Sequence, residues 1–180
     1  MTVPSWEVTA SQGYETAWVE LGADRLTARG RVVGTVPEPY WLTYRLETDA
    51  GYVTRRLSVT ADTADGTREL DLRRSEGGRW TADGRDLPEL AGALDCDLGL
   101  SPLTNTMPVL RHGLHRAGGV EDFLMAWVSV PDLAVRPSRQ RYTHLGAGVV
   151  RYASEDFASE LAFDRDGLVR HYPQLARRLG

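Results

Sequence analysis

The 180-residue sequence contains no lysine and one cysteine, and it lacks any long apolar run. A single cysteine, Cys96, excludes an intramolecular disulfide and fits a reducing compartment. The amino terminus, MTVPSWEVTA, has neither the basic segment nor the apolar segment of a signal peptide. The longest apolar run, FLMAWVSV, is too short to cross a bilayer as a helix. We therefore expect a cytoplasmic protein without a membrane span.

The sequence also has fewer basic than acidic residues, with 21 arginines against 25 aspartates and glutamates. The formal net charge of −4 gives no electrostatic reason to expect a nucleic-acid partner. The sequence has no phosphate-binding loop, no G-x-S-x-G nucleophile motif and no dinucleotide-binding fingerprint, and we predict no cofactor. The length is most simply that of one domain spanning residues 1–180.

Most of the sequence alternates apolar and polar residues, as β-strands do. In YWLTYRLET the apolar side chains share one face, and turn residues at 49–51 then lead into YVTRRLSVT, which predicts a hairpin. Helix signals are few: residues 86–94, a segment that begins near Thr106 with Pro108 in its first turn, and PQLARRL near the carboxyl terminus. The pattern predicts a mainly β (α+β) antiparallel domain with two or three short helices.

Arg55 departs from this alternation. In VTRRLSVT the apolar face holds Val53, Leu57 and Val59, and Arg55 falls among them. An arginine on an inward face must find a carboxylate, a phosphate or water, because an unpaired buried charge is strongly destabilising. Two interpretations stay open. The favoured one is a register break or an internal ion pair with Asp or Glu, and the other is an arginine that binds a ligand headgroup inside a cavity.

Carboxylates, a thiol and two histidines lie close together in the middle of the chain. Asp95 and Asp97 project to the same side of an extended segment, so they could hold a metal or share a proton, although a solvated turn or an ion pair with nearby arginines is favoured. His112 and His115 have a spacing found in metal sites but lack a recognisable third ligand, so no metal is predicted. Cys96 has no linked histidine and is interpreted as a small buried thiol.

Aromatic residues lie on or near several of the predicted strands. Such residues usually belong to a core, but on the concave face of a curved sheet they would line a cavity for an apolar ligand. Periodicity leaves both interpretations open. The residues concerned are Trp18, Trp41, Trp80, Trp127, Tyr44, Tyr142 and Tyr152.

The segment DCDLGLSPLTNTMPVLRHGL, residues 95–114, resembles the signature of the putative glycolipid-binding family, a bacterial domain of unknown function. That signature has an Asp-x-Asp segment followed by Thr-Pro-Phe-Thr-Asn-Thr-Leu-Pro and arginines. Asp95 and Asp97 match the acidic pair, while Ser101, Leu103 and Met107 replace the Thr, Phe and Leu of the family. The other matching residues are Pro102, Thr104, Asn105, Thr106, Pro108 and Arg111.

Further segments resemble the family in the same order, so the resemblance covers essentially the whole chain. They are YRLETDAGYVTRRLSV, GGRW, VPDLAVRPSRQRYTHL, VVRYAS and LAFDRDGLVRHYPQLARR. At the turn after Asp49 the sequence has AGY where the family usually has Trp. The resemblance implies a fold similar to the bacterial lipoprotein localisation factors: a strongly curved antiparallel sheet that forms an incomplete barrel, closed by a few short helices.

Our first hypothesis is the non-enzymatic binding of an amphipathic lipid or glycolipid in the cavity of that half-barrel. The candidate ligand-binding residues are Arg55, Asp95, Asp97, Thr104, Asn105, Thr106, Arg111, Tyr44, Trp80 and Tyr142. For the Thr-Asn-Thr segment a structural role is slightly favoured, because these side chains are suited to capping backbone N–H groups at the start of a helix. The alternatives are an enzyme that uses Asp95 and Asp97 as an acid–base pair on a hydrophobic metabolite, and a protein-interaction module.

Overall fold

The computed structural model describes residues 1–155 and 157–180. Its first half is a series of antiparallel strands, each paired with the next along the chain. These strands are β1 (Ser5–Val8), β2 (Gly13–Leu21), β3 (Leu26–Gly34), β4 (Tyr40–Thr48), β5 (Thr54–Thr63), β6 (Gly66–Arg74), β7 (Trp80–Ala82) and β8 (Arg85–Asp86).

The second half contains one α-helix and seven more strands of the same sheet. They are β9 (Asp95–Leu98), α1 (Thr106–His112), β10 (Val120–Val128), β11 (Val135–Gly146), β12 (Val149–Ser154), β13 (Phe157–Phe163), β14 (Val169–Tyr172) and β15 (Ala176–Arg178). Short 3₁₀ turns lie at Thr9–Ser11, Ala50–Tyr52, Pro88–Leu90 and Leu103–Asn105.

All described strands form a single sheet in the order β8-β7-β6-β5-β4-β3-β2-β1-β15-β14-β13-β12-β11-β10-β9. The two chain termini meet in the middle of this sheet, because β1 pairs with β15 through Trp6 and Arg178. The strands at its two edges are β8 and β9, and β9 runs parallel to β10. The sheet is therefore mainly antiparallel and not closed into a barrel, which confirms the mainly β prediction.

The larger core lies against β1 to β7 and is built by the alternation that the sequence shows. In β3 every second residue is buried, and two of those positions are glycines. A Cβ atom on Gly30 would lie 2.3 Å from the Tyr44 ring, and one on Gly34 would lie 2.6 Å from the Tyr40 ring. The two glycines therefore make room for tyrosine rings of the neighbouring strand β4.

A second core lies between α1 and the strands β10 to β14. Val109 from the helix packs with Tyr142, Val150 and other buried residues of these strands. Along β10, Met125 belongs to this second core, whereas Ala126 belongs to the first. This strand is therefore covered on both faces, as its continuous apolar run predicts.

Two of the predicted helices are not helices in the structure. Residues 176–178 of PQLARRL form β15, because strands β1 and β14 offer hydrogen-bonding partners on both sides. Such tertiary pairing outweighs local helix propensity. Within 86–94 the only helical turn among the described residues is Pro88–Leu90. The helix predicted near Thr106 is confirmed as α1.

No helix in the described part of the chain is both long enough and apolar enough to cross a membrane.

Candidate binding site

The signature segment forms the edge strand β9 and the turn that connects it to α1. After β9 the chain passes through the 3₁₀ turn Leu103–Asn105 directly into the helix, which ends at His112 and is followed by Gly113 in a left-handed conformation. Most side chains of this segment are buried: Ser101, Leu103, Thr104, Asn105, Thr106 and Met107. The segment is therefore part of the interior, wedged between the two cores.

Asp95 is held by a two-pronged ion pair with Arg111. The Arg111 Nη1 atom donates to Asp95 Oδ2 at 2.8 Å, and Nη2 donates to the other carboxylate oxygen. The same guanidinium donates through Nε to the Gly51 carbonyl at 2.8 Å and through Nη2 to the Tyr52 carbonyl at 3.3 Å. Burial raises the pKa of Asp95, and the guanidinium opposes that rise. This ion pair ties β9, α1 and the turn before β5 together.

Asp97 has different partners and lies closer to the surface. Its Oδ1 atom accepts from Thr104 Oγ1 at 2.9 Å, and its Oδ2 atom accepts from Gln140 Nε2 at 2.6 Å. Gln140 in turn accepts from the Tyr142 hydroxyl at 3.2 Å. Burial raises the pKa of Asp97, while the hydrogen bonds from Gln140 and Thr104 lower it. The carboxylate is thus fixed on the face of the sheet that β10, β11 and β12 share.

The Thr-Asn-Thr segment only partly performs the predicted capping role. Thr104 Oγ1 accepts from the Leu98 backbone N–H at 3.2 Å, which closes the turn after β9. Asn105 occupies the N-cap position of α1 but makes no side-chain cap hydrogen bond, so the capping prediction is wrong there. Within the described residues, Asn105 Oδ1 and Thr106 Oγ1 are buried without a hydrogen-bond partner.

A groove of about 380 Å³ opens beside Asp97 on the same face of the sheet. Trp127 pairs in register with Asp97, and cross-strand neighbours point to the same side. Gln140 connects the two features, because its Nε2 atom also lies 3.5 Å from Ser138 Oγ in the groove. The lining residues are Trp127, Arg136, Pro137, Ser138, Tyr152, Ser154, Glu155 and Phe157.

Three aromatic rings and several polar groups make up the groove. Tyr152 is buried, whereas Phe157 is 42% exposed, and their ring centroids are 6.0 Å apart. The Arg136 guanidinium lies over the Trp127 ring, 5.1 Å from its centroid. The hydroxyls of Ser138 and Ser154 are 3.3 Å apart. Aromatic faces beside hydroxyl and charged groups are the combination that binds the apolar and polar parts of one ligand.

Comparison with known proteins agrees with the resemblance seen in the signature segment. The family model described as "Putative glycolipid-binding" matches residues 4–178. The chain belongs to that family. A solved structure of a DUF1089 family protein from Pseudomonas aeruginosa is similar, with a TM-score of 0.78 and 34% sequence identity, and the match covers 92% of each chain. None of the curated proteins matches.

In this member of the putative glycolipid-binding family, three of the aromatic candidates make internal contacts. The Tyr44 hydroxyl donates to Glu15 at 2.6 Å, and Trp80 Nε1 donates to the Ala93 carbonyl at 3.0 Å. Tyr142 is 1% exposed and lies edge-on to Tyr152, with ring centroids 5.4 Å apart. Of these three residues, Tyr142 alone is connected to the groove, through Gln140 and Tyr152.

Arg55 does not point inward, so the orientation predicted from alternation is wrong. Pairing between β4 and β5 shifts from Glu47 with Arg56 to Thr48 with Thr54, which leaves Arg55 as the extra residue of a β-bulge. Its side chain is 56% exposed and forms an ion pair with Glu47. The register break of the favoured interpretation is confirmed, whereas the ion pair with Glu47 lies at the surface instead of in the interior. Arg55 lies outside the groove beside Asp97.

Glu15 on β2 is a buried carboxylate that was not among the residues predicted from the sequence. It accepts from Tyr44 and, at 3.0 Å, from Ser101 of the signature segment, while its Oε2 atom has no hydrogen-bond partner among the described residues. Burial raises the pKa of Glu15 from 4.5 to about 7. The alternation of the sequence could have indicated that Glu15 is buried, because Glu15 lies between Gly13 and Ala17 on the buried face of β2.

The groove residues Arg136 and Ser138, and Gln140 next to them on the same strand, were also not predicted. They alternate on one face of β11 with Tyr142, so they form a row of polar residues on a face that a helix partly covers. Gln140 lies within a segment that resembles the family, but the sequence does not indicate its partner Asp97.

The remaining candidates for chemistry, Cys96 and the two histidines, have separate environments in the structure. Cys96 is buried, and burial raises the pKa of its thiol to about 12, as expected of a structural cysteine. His112 is the last residue of α1, and His115 lies beyond the helix, so the helical face that their spacing suggests does not form. Among the described residues, no group of three or more His, Cys, Asp or Glu side chains could hold a metal ion.

Proposed function

We propose that this protein binds a glycolipid-like amphiphile without catalysing its conversion, and that the sugar-bearing headgroup lies in the groove beside Asp97. The proposal treats the chain as one binding domain, built on the curved and incomplete barrel that the resemblance implies. A cytoplasmic location is part of the proposal, and the free, buried Cys96 is compatible with it. Lipid-like small molecules are the proposed partners.

The observation that carries the proposal is the composition of the groove. Phe157 offers an exposed ring to the apolar side of a sugar or the start of an acyl chain, and the Trp127 ring, which Arg136 covers on one face, also lines the groove. Ser138, Ser154 and Arg136 offer hydrogen bonds to hydroxyl groups around them. The groove volume of about 380 Å³ is in the range of small-molecule sites. A headgroup bound there would leave the acyl chain of the ligand partly outside the groove.

The groove is favoured over the barrel interior because side chains fill the interior. Trp6, Trp80, Tyr40 and Tyr142 are each at most 2% exposed in the two cores. A ligand placed there would have to displace close-packed side chains, which is strongly unfavourable. The family description supports a lipid with a sugar headgroup as the ligand class.

The enzyme interpretation is not favoured, because Asp95 is unavailable as an acid–base partner for Asp97. Both of its carboxylate oxygens are bound by Arg111, and the residue is 1% exposed. Asp97 is bound by Thr104 and Gln140. The two carboxylates thus have separate partners instead of sharing a proton.

Calorimetric titration with n-octyl β-D-glucopyranoside, below its micelle concentration, tests the proposal. Trp127→Ala removes a ring face of the groove and should weaken binding about tenfold or more, which corresponds to about 1.4 kcal/mol. Trp18→Ala is the matched control, because Trp18 is also a strand residue that an arginine covers, with Arg29 lying 5.3 Å from its ring centroid. Its affinity should stay within about twofold of the wild type.

Two further arms sharpen the test. An octyl tetraethylene glycol ether, which has the same chain and no sugar, should bind more weakly than the glucoside; equal affinity would contradict sugar recognition. The second arm is Trp41→Ala. Trp41 is 71% exposed and lines a separate groove of about 500 Å³ with Tyr14 and Val33. Loss of binding in that variant, with Trp127→Ala unaffected, would refute the groove beside Asp97.

A further inference from the structure

A second pocket, of about 360 Å³, lies on β4 to β7 at the other end of the strand order from the groove beside Asp97. Its lining is unusual for a protein whose net charge is −4. Five guanidinium groups surround it, together with one carboxylate and two hydroxyl-bearing side chains: Arg55, Arg56, Arg73, Arg74, Arg79, Glu47, Ser75 and Thr81.

The carboxylates in contact with these arginines are too few to neutralise them. Asp71 forms ion pairs with two arginines: Arg56 Nε lies 2.7 Å from one carboxylate oxygen, and Arg73 Nε lies 2.8 Å from the other. Glu47 likewise forms ion pairs with two arginines, Arg55 in the pocket and Arg45 outside it.

The last two arginines add to this excess. Arg79 Nε lies 3.6 Å from Asp86 Oδ1, and Arg74 donates hydrogen bonds to the backbone carbonyls of Ala93 and Ser75. In the described part of the chain, the five pocket arginines and Arg45 contact three carboxylates between them, and Arg74 contacts none, which leaves this group of side chains with about three positive charges in excess.

The guanidinium N–H groups that are not used in these ion pairs are suited to bind a tetrahedral anion. Arg56, Arg73 and Arg79 contact their carboxylates through Nε, and their Nη atoms make no hydrogen bond within the described residues. The terminal N–H groups of several guanidiniums around one small cavity match the oxygens of a phosphate group.

The β-bulge at Arg55 contributes one of the five guanidiniums. Regular pairing would place Arg55 on the same face as the buried residue Leu57, whereas the bulge turns its side chain outward to line the pocket. Bulges often redirect a side chain at a functional site. The departure from alternation that the sequence shows at this position is thus explained by an arginine placed in the pocket.

We infer that this arginine pocket binds a phosphate group, carried either by a small phosphorylated molecule or by the headgroup of an anionic lipid. The inference does not depend on the function proposed for the groove, because the two sites share no residue. A local positive site on an acidic protein also favours a compact anion over an extended polyanion, which the rest of the surface would repel.

The test measures phosphate binding to the full chain by ¹H–¹⁵N NMR titration with inorganic phosphate at constant ionic strength. Arg55→Gln combined with Arg79→Gln should weaken binding about tenfold or more, because two charge-assisted contacts are lost. Both side chains are exposed, so the variant should fold. The matched control is Arg165→Gln combined with Arg170→Gln, which removes the same charge from exposed positions elsewhere and should change affinity less than about twofold.

Vesicle flotation distinguishes the two sources of phosphate. Wild-type protein that floats with phosphatidylcholine vesicles containing phosphatidic acid, but not with phosphatidylcholine alone, would identify a lipid headgroup, provided that the pocket variant does not float. Binding of inorganic phosphate without flotation would identify a free phosphorylated molecule. The inference is overturned if the wild type binds neither probe, or if the pocket variant and the control lose binding equally.

Discussion

Replacing Arg111 by Met should lower the free energy of unfolding by about 3–5 kcal/mol. The substitution keeps most of the side-chain volume but leaves the carboxylate of Asp95, which is 1% exposed, without its counter-charge. It also removes the hydrogen bonds that connect α1 to the carbonyls of Gly51 and Tyr52. Urea unfolding at pH 7 measures the difference, with the midpoint and slope compared between variants.

Arg141→Met provides a control for the loss of a two-pronged arginine–carboxylate pair. Arg141 contacts Asp122 through Nε at 2.7 Å and Nη2 at 2.8 Å, but both side chains are more than half exposed. Its removal should therefore cost no more than about 1 kcal/mol. Similar small losses in both variants would contradict the account in which burial makes the Asp95–Arg111 pair structurally essential.

Glu15 should make the protein less stable as the pH rises from about 4.5 to about 7. Burial raises the pKa of this carboxyl to about 7, so the native state holds the proton more tightly than the unfolded chain does. The stabilisation is fully present below pH 4.5 and is lost as the pH rises through the interval to about 7. Over that interval the carboxyl should account for a loss of about 3 kcal/mol.

Comparison with Glu15→Gln isolates this carboxyl from the other titrating groups. Glutamine can still accept from Tyr44 and Ser101 but does not titrate, so the difference in unfolding free energy between the wild type and this variant should change with pH. Glu20→Gln, an exposed position on the same strand, should follow the wild-type curve. Parallel curves for the wild type and Glu15→Gln across pH 5 to 8 would show that Glu15 is not the responsive group.

Alternation in the sequence was sufficient to predict most strands but not the places where the chain departs from a regular ladder. The pattern in YWLTYRLET and its neighbours predicts β4 to β6 because each strand has one covered face. Arg55 and Glu15 both stand at apparent inward positions, yet only Glu15 is buried. The difference is the bulge in β5, which turns Arg55 outward. A bulge depends on how a strand pairs with its neighbour, and alternation along one strand does not encode that pairing.

The candidate site could be predicted in its residue types but not in its connections. The resemblance selected Asp95, Asp97 and Arg111, and a solvated turn or an ion pair with nearby arginines was the favoured interpretation of the two carboxylates. Asp95 has that ion pair, whereas Asp97 instead depends on Gln140, which lies 43 residues along the chain. The parallel pairing of β9 with β10 brings Asp97 beside Trp127, and this pairing spans α1 and its flanking turns. Long-range pairing of that kind has no local signal in the sequence.

The most direct test of the central claim is native mass spectrometry of gently purified protein, followed by organic extraction of whatever it carries. We expect a stoichiometric adduct that releases a lipid with a sugar headgroup, present on the wild type and on Trp18→Ala and lost from Trp127→Ala. A bare wild-type chain, under conditions in which known lipid carriers stay loaded, would contradict it. An adduct that Trp127→Ala retains in full would contradict it as well.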